Sequence, residues 1–506
     1  MAAAVALTTG CTVGPDYVRP EPAVGITWSG AMAGGLSDQP ADLSGWWSHL
    51  GDPVLDTLVH RALAANNTLR AAAARVMEVK AARRGAEAGN YPTLDTSAQY
   101  QRQRSSPNTG SPAAAGMPGR GDPVNFWSAG IDAGWEMDLF GRVRRAVEAA
   151  DADVQVAEHD RRGVVLSLLA EVARNYIELR AFQQRLLIAR ANLASQEETL
   201  SLTRTRFDAG LTSELDVTRA LTNVETTRAG IPALEQGLKQ ASHRLSVLLG
   251  ERPGSLYAEL EEPAVIPVIP GEVRIGVPSE LLLRRPDLLA AERRLAAATA
   301  RIGVATADLY PRLILNGQLA FQASRFATAF DAGSATYGLG PTLTWNLFDA
   351  GRVRASIAAA DARAQAALAE FDAAVLGALE EAENTIVAFA REQERYRALE
   401  AAVEAGRRSV EIANSQYSQG LTDFQNVLDS QRNLLALQDQ ATQSRARVSD
   451  NLVALYKALG GGWEIAEGPT QAVTPGDKPV GSPEPGDQPG VAAPAVAAPG
   501  ISARTN

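Results

Sequence analysis

The sequence predicts an α+β membrane protein: four amphipathic strands per chain join a β-barrel, and very long helices continue it as a coiled-coil barrel. Three observations carry this. A unit of two period-two strands followed by one long helix occurs twice. Each long helix holds a seven-residue apolar spacing. No run of about 18 apolar residues offers a transmembrane helix, whereas barrel strands need only alternate residues apolar.

The repeat comes first, because it fixes the other boundaries. Asn90-Tyr91-Pro92-Thr93-Leu94 returns as Leu309-Tyr310-Pro311-Arg312-Leu313. Trp135 and Gly141-Arg142-Val143-Arg144 return as Trp345 and Gly351-Arg352-Val353-Arg354. Phe207 to Thr212 returns as Tyr417 to Thr422, and Leu249-Gly250 as Leu459-Gly460. Two units follow, roughly 55–250 and 275–462, joined by a linker at 251–274.

After each Tyr-Pro a strand pair is expected, about 92–139 and 312–348. Trp127, Ala129, Ile131, Ala133, Trp135, Met137 and Leu139 share one face of the clearest strand. In the second unit Tyr337, Leu339, Leu343, Trp345 and Leu347 share another. Trp127, Trp135 and Trp345 suit the aromatic girdles at the bilayer interfaces. A soluble antiparallel sheet with one wet face is the plainer reading of one such hairpin. Two hairpins flanked by long helices leave little other strand to complete a sandwich. Four strands cannot close a barrel, and open edges are not tolerated in lipid, so spanning strands require oligomerisation. Two chains give eight strands with a filled interior, and three give twelve.

The long helices are expected at 142–209 and 352–419, each ~100 Å if unbroken. Their seams are Val165, Val172, Leu179, Leu186, Leu193, Leu200 and Phe207, and Val375, Ala382, Phe389, Tyr396, Val403, Val410 and Tyr417. Each ends at a glycine where the chain reverses. Returning helices follow at 213–249 and 423–459, the first with a bend at Pro232. Single helical segments at 56–89 and 279–308 lead into the strand pairs.

The termini and the charge narrow the function. Residues 1–10 read as a signal-peptide remnant, and Gly10-Cys11 as the end of a lipoprotein signal, with 11–54 as an anchored, extended segment. No Lys or Arg precedes the apolar stretch, which is short, and Thr8 stands where Leu is usual. Residues 463–506 form a Pro/Gly-rich tail without the apolar residues to build a core. A net charge of −10 argues against a nucleic-acid partner. His49, His60, His159 and His243 fall in no metal-ligand spacing. No nucleophile–base set, phosphate loop or cofactor motif argues for an enzyme.

Taken together these residues resemble the TolC-like outer-membrane efflux proteins, in their lipoprotein, OprM/NodT-like branch. The marks are Cys11 followed by Gly14-Pro15-Asp16-Tyr17-Val18-Arg19-Pro20, Trp46-Trp47 with Asp52-Pro53-Val54-Leu55, and Asn66-Asn67 with Leu69-Arg70. Arg285-Pro286-Asp287, Tyr310-Pro311, the two Gly-Leu-Thr turns, Asp429 and Arg432 complete them. His49-Leu50 departs from the aromatic that often follows the tryptophan pair.

The resemblance implies a homotrimer with a twelve-stranded outer-membrane barrel and a helical tunnel across the periplasm. It implies a passive duct for small molecules, working with a periplasmic adaptor and an inner-membrane pump of the resistance-nodulation-division type. Cys11 becomes the lipid anchor. The turns Gly210-Leu211-Thr212 and Gly420-Leu421-Thr422 become adaptor contacts. Asp429 and Arg432 become the periplasmic gate, with Gln425 where the family commonly carries Leu. A non-channel coiled-coil protein is the competing reading, and within the duct reading type I protein secretion and metal export stay open.

Overall fold

The computed structural model describes residues 12–22, 25, 27–29, 35–40, 42–104, 123–267 and 271–467. Contacts divide the chain after Ala466, and the fold below is that of the first unit. Cys11 and most of the tail lie outside the described residues.

The elements run β1 (Leu36–Ser37), α1 (Pro53–Ala65), α2 (Asn67–Glu87), β2 (Thr93–Gln103), β3 (Val124–Met137), α3 (Arg142–Asp208) and α4 (Glu214–Leu248). Then come β4 (Val273–Arg274), α5 (Leu281–Arg284), α6 (Pro286–Ala307), β5 (Arg312–Ala323), β6 (Ala335–Thr344), α7 (Arg352–Ser418) and α8 (Phe424–Ala458). The order helix, helix, strand, strand, long helix, helix thus appears twice.

Two segments read as single helices are each two. Asn66 leaves helical geometry with ψ 125°, its side chain accepting from the Leu69 amide at 2.9 Å and donating to the Leu248 carbonyl at 2.8 Å. Arg285 does the same before Pro286, whose ring disfavours helix at the preceding residue. The Arg285 guanidinium is buried between Asp287 (2.8 Å), Glu381 (2.7 Å) and the Ala458 carbonyl (2.9 Å), joining α6, α7 and α8. The helix α4 continues through Pro232 as one element.

The four long strands form one antiparallel sheet in the order β2-β3-β5-β6. The register puts Leu94 opposite Ala133, Tyr100 opposite Trp127, Ile131 opposite Leu319, and Leu319 opposite Tyr337. One face is therefore apolar across all four strands. The other carries Asp95 opposite Asp132, Asp132 opposite Gln318, and Gln99 opposite Ser128. A correction applies at the ends: β3 stops at Met137 and β6 at Thr344, so Leu139, Trp345 and Leu347 follow the strands.

Both long helices start at a glycine with φ above 80° that offers no side-chain cap. A nearby carboxylate substitutes. Asp138 accepts from the Val143 and Arg144 amides, and Asp349 from the Gly351 and Val353 amides, placing negative charge on each positive helix end. Along α3 the seam Val165, Val172, Leu179, Leu186 and Leu200 is buried, and along α7 Val375, Ala382 and Phe389 are. The last position departs from this: Phe207 is exposed while its counterpart Tyr417 is buried.

The N-terminal stretch is laced along the rest. The Val13 amide donates to the Phe140 carbonyl (3.2 Å), Asp16 meets buried Arg145 (2.6 Å), and the Tyr17 hydroxyl donates to Glu292. Trp46 stacks on Tyr456 at 5.4 Å and donates to the Gly461 carbonyl, so the tryptophan pair fills the core beside α8. A short parallel pair, Leu36 with Val273, was not foreseen from the sequence.

Candidate functional site

Each long helix ends in the same way. The Gly210 amide donates to the Phe207 carbonyl and the Leu211 amide to the Arg206 carbonyl; Gly420 and Leu421 repeat this with Tyr417 and Gln416. This Schellman pattern needs a left-handed residue, met by φ 72° at Gly210 and 74° at Gly420. It turns Leu211 and Leu421 outward, 65% and 72% exposed.

The turns then diverge. Ser213 forms a reciprocal capping box with Asp216, and the Thr212 hydroxyl donates to the same carboxylate at 2.6 Å. Partial burial works against ionisation of Asp216, but these hydroxyl and amide donors outweigh it and hold the carboxyl below its ordinary range. The second turn lacks a side-chain cap at Asp423, and Asn426 instead donates to Thr422 at 2.7 Å.

Behind the turns Leu200, Ala220, Val224, Ala413, Tyr417, Phe424, Val427 and Leu428 pack as one buried cluster. Arg206 crosses from α3 to the second turn. Its guanidinium lies 4.8 Å from the Tyr417 ring centre and donates to the Ser418 carbonyl at 3.2 Å.

One turn above, Asp429 and Gln425 are exposed on the same face of α8, and the Gln425 amide reaches both carboxylate oxygens at 3.0 and 3.2 Å. Arg432 is directed elsewhere, donating through Nε to Asn223 of α4 at 3.1 Å. The two gate residues do not pair with each other within the chain. The reason is local: Gln425 already occupies the carboxylate, and α4 offers a carbonyl oxygen across the seam. Buried Gln431, beside Arg432, donates to Thr199 of α3 at 2.9 Å. Three polar links therefore tie the α7–α8 end to α3 and α4. Arg206 and Asn223 carried no periodic or motif signal that marked them.

At the sheet, the Trp135 indole donates to the Asn90 carbonyl and the Trp345 indole to the Leu309 carbonyl, each at 3.0 Å. Both pin the residue before a Tyr-Pro corner, where strands meet helices. Trp127 lies toward the hairpin tips, 4.3 Å from the Tyr100 ring and 5.0 Å from Phe326. Among the described residues no group of His, Cys, Asp and Glu is arranged to hold a metal ion.

A sheet with one apolar face, continued directly by long paired helices that end in exposed-leucine turns, defines a channel-type outer-membrane component. The comparisons agree. The family model described as "Outer membrane efflux protein" matches residues 58–251 and 277–461. The pyoverdine export outer membrane protein OpmQ of Pseudomonas aeruginosa is 36% identical over 436 residues, covering 86% of this chain and 90% of its own. Outer membrane protein OprJ of the same organism is 33% identical, covering 91% and 95%. Among solved structures the outer-membrane channel OprN superposes with a TM-score of 0.81 at 38% identity, covering 90% of this chain and 100% of OprN. The chain belongs to the outer membrane efflux protein family. It is an efflux channel component of the outer membrane.

Proposed function

We propose that three copies of the chain close a twelve-stranded barrel in the outer membrane and a helical tunnel below it, serving as the passive duct of a tripartite pump. The observation that carries this is the sheet. Its apolar face is continuous over four strands, and among the described residues β2 and β6 each have only one neighbour. In lipid, unpaired backbone on two edges is untenable, so copies must pair edge to edge. Alanine-rich α7 leaves Leu368, Leu376, Val387 and Ile412 exposed within one chain, which gives the helical part a surface for the same association.

In this reading Trp135 and Trp345 mark the inner bilayer boundary and Trp127 the outer one. Thr12 packs against Gly141 at the base of the sheet, the level at which a lipid on Cys11 would enter the inner leaflet. Leu211, Leu421 and their threonines face a periplasmic adaptor, which joins the duct to an inner-membrane pump of the resistance-nodulation-division type. Asp429 from three copies forms the narrowest ring, held by Gln425 and by the links from Arg432, Gln431 and Arg206 to the neighbouring helices. With Gln425 in place of an apolar residue, closure is polar.

The test is conductance in planar bilayers. Asp429→Ala combined with Arg432→Ala removes ring charge and one link together, and single-channel conductance should rise severalfold. Conductance equal to that of the unaltered protein would remove the gate from these residues.

A further inference from the structure

The gate and turns leave one constructed feature unused, at the hairpin end of the sheet. The connection from β5 to β6 folds back over the apolar face. Phe326 meets Trp127 edge to face at 5.0 Å, and Phe330 meets Phe321 at 5.9 Å. Between this flap and the strands lies a groove of about 280 Å³, lined by Ala98, Tyr100, Trp127, Ala129, Phe321 and Phe330. That is just below the ~300–1,000 Å³ of pockets for drug-sized ligands, and its apolar lining suits one hydrocarbon chain.

The rim is cationic. Arg102 stands one row beyond Tyr100 on the same face, in register with Asn125, to which the Tyr100 hydroxyl donates at 3.2 Å. Arg325 immediately precedes Phe326, and both arginines are exposed. Among the described residues neither guanidinium forms an ion pair. Arg104, which has a partner of its own, continues the β2 side of this rim. The one described carboxylate of the flap is Asp331. A groove for an alkyl chain, with an exposed arginine next to its lining on the β2 side and another on the flap side, matches a lipid with a phosphate headgroup, since planar guanidinium groups bind phosphate oxygens well.

We propose that this groove is a binding site for a phosphorylated lipid of the outer leaflet: one acyl chain lies under Phe326 and Phe330, and a headgroup phosphate bridges Arg102 and Arg325. The inference rests on the sheet spanning the outer membrane with its hairpin tips outward.

The full-length protein is reconstituted in phosphatidylcholine nanodiscs doped with bis-phosphorylated lipid A. Lipid retained after detergent extraction is counted by native mass spectrometry. Arg102→Gln with Arg325→Gln should lower lipid A retention about tenfold and leave phosphatidylcholine retention unchanged. Arg102→Lys with Arg325→Lys should retain most of it, which separates charge from folding. Phe326→Ala with Phe330→Ala should lower retention even with both arginines present. Equal retention in the unaltered and Gln-substituted proteins overturns the proposal. Acyl-brominated phosphatidylcholine tests the underlying reading separately. Quenching of tryptophan fluorescence with arginine-independent retention sinks the lipid site alone, whereas no quenching sinks the membrane placement and the site with it.

Discussion

Asp450 of α8 sits in a cleft between helices, with Arg174 and Glu178 of α3 facing it and Arg244 of α4 and Arg447 nearby. One of its oxygens is buried without a hydrogen-bond partner. Burial raises its pKa to about 7; Arg174 opposes the rise and Glu178 adds to it. In the unfolded chain the same carboxyl titrates near ~3.9. Between those values the unfolded chain releases the proton and the folded chain keeps it, so stability falls as pH rises through the window and levels off above it. Each pKa unit corresponds to about 1.4 kcal/mol. Asp450→Asn should therefore match the unaltered protein near about pH 4 and be more stable, by on the order of a few kcal/mol, near about pH 8. Thermal unfolding midpoints of detergent-solubilised protein across that range check this, and parallel curves would refute it. Sequence showed nothing at this position, because a lone Asp on a helix reads as solvated until α3 is seen to cover it. Arg432 was legible only in part. Its spacing from Asp429 was visible, but its true partner, Asn223, lies 209 residues away.

At the scale of elements, periodicity carried most of the fold. The strand faces and heptad seams are properties of one chain segment, and 67 residues without an internal proline leave little alternative to a long helix. The breaks were harder to see. Asn66 interrupts a segment of good helix formers because its side chain caps one helix and fastens another, a choice made by Leu248 far along the chain. Trp345 continues the alternation of β6 yet follows the strand, although its indole donates to the Leu309 carbonyl just as that of Trp135, inside β3, does to Asn90. The turns were legible because glycine is the residue that tolerates their geometry. Gly420→Ala introduces a Cβ at φ 74°, and its cost should be about 1 kcal/mol, seen as a lower denaturation midpoint with unchanged helix content. Space is not the issue, because the nearest atom to that Cβ is Arg206 Nη2 at 3.9 Å. An unchanged midpoint would mean that the turn relaxes out of the left-handed region.

For the whole molecule, the decisive quantity is the number of copies that share one barrel. The unpaired edges are β2 and β6, so closure places β6 of one copy beside β2 of the next. Pro341 lies within β6 opposite Leu315, a position compatible with an edge but one that denies a neighbour one backbone donor. The junction between copies should therefore be weaker there than the β3–β5 seam inside each chain. Single cysteines at Ser97 or Gln99 of β2, combined in turn with one at Gly338 or Gly340 of β6, sample the registers available to such a junction. Some pairs will bring Cβ atoms within the ~3.5–4.5 Å that a disulfide requires. Because every copy supplies one β2 and one β6, mild oxidation of membranes should drive a matching pair to a covalent ring. On a non-reducing gel that ring is a three-chain species with two- and one-chain intermediates and nothing larger. A ladder extending beyond three chains would show an open or larger assembly. Absence of crosslinks at every pair would show that these edges do not meet, and the twelve-stranded barrel would fall with them.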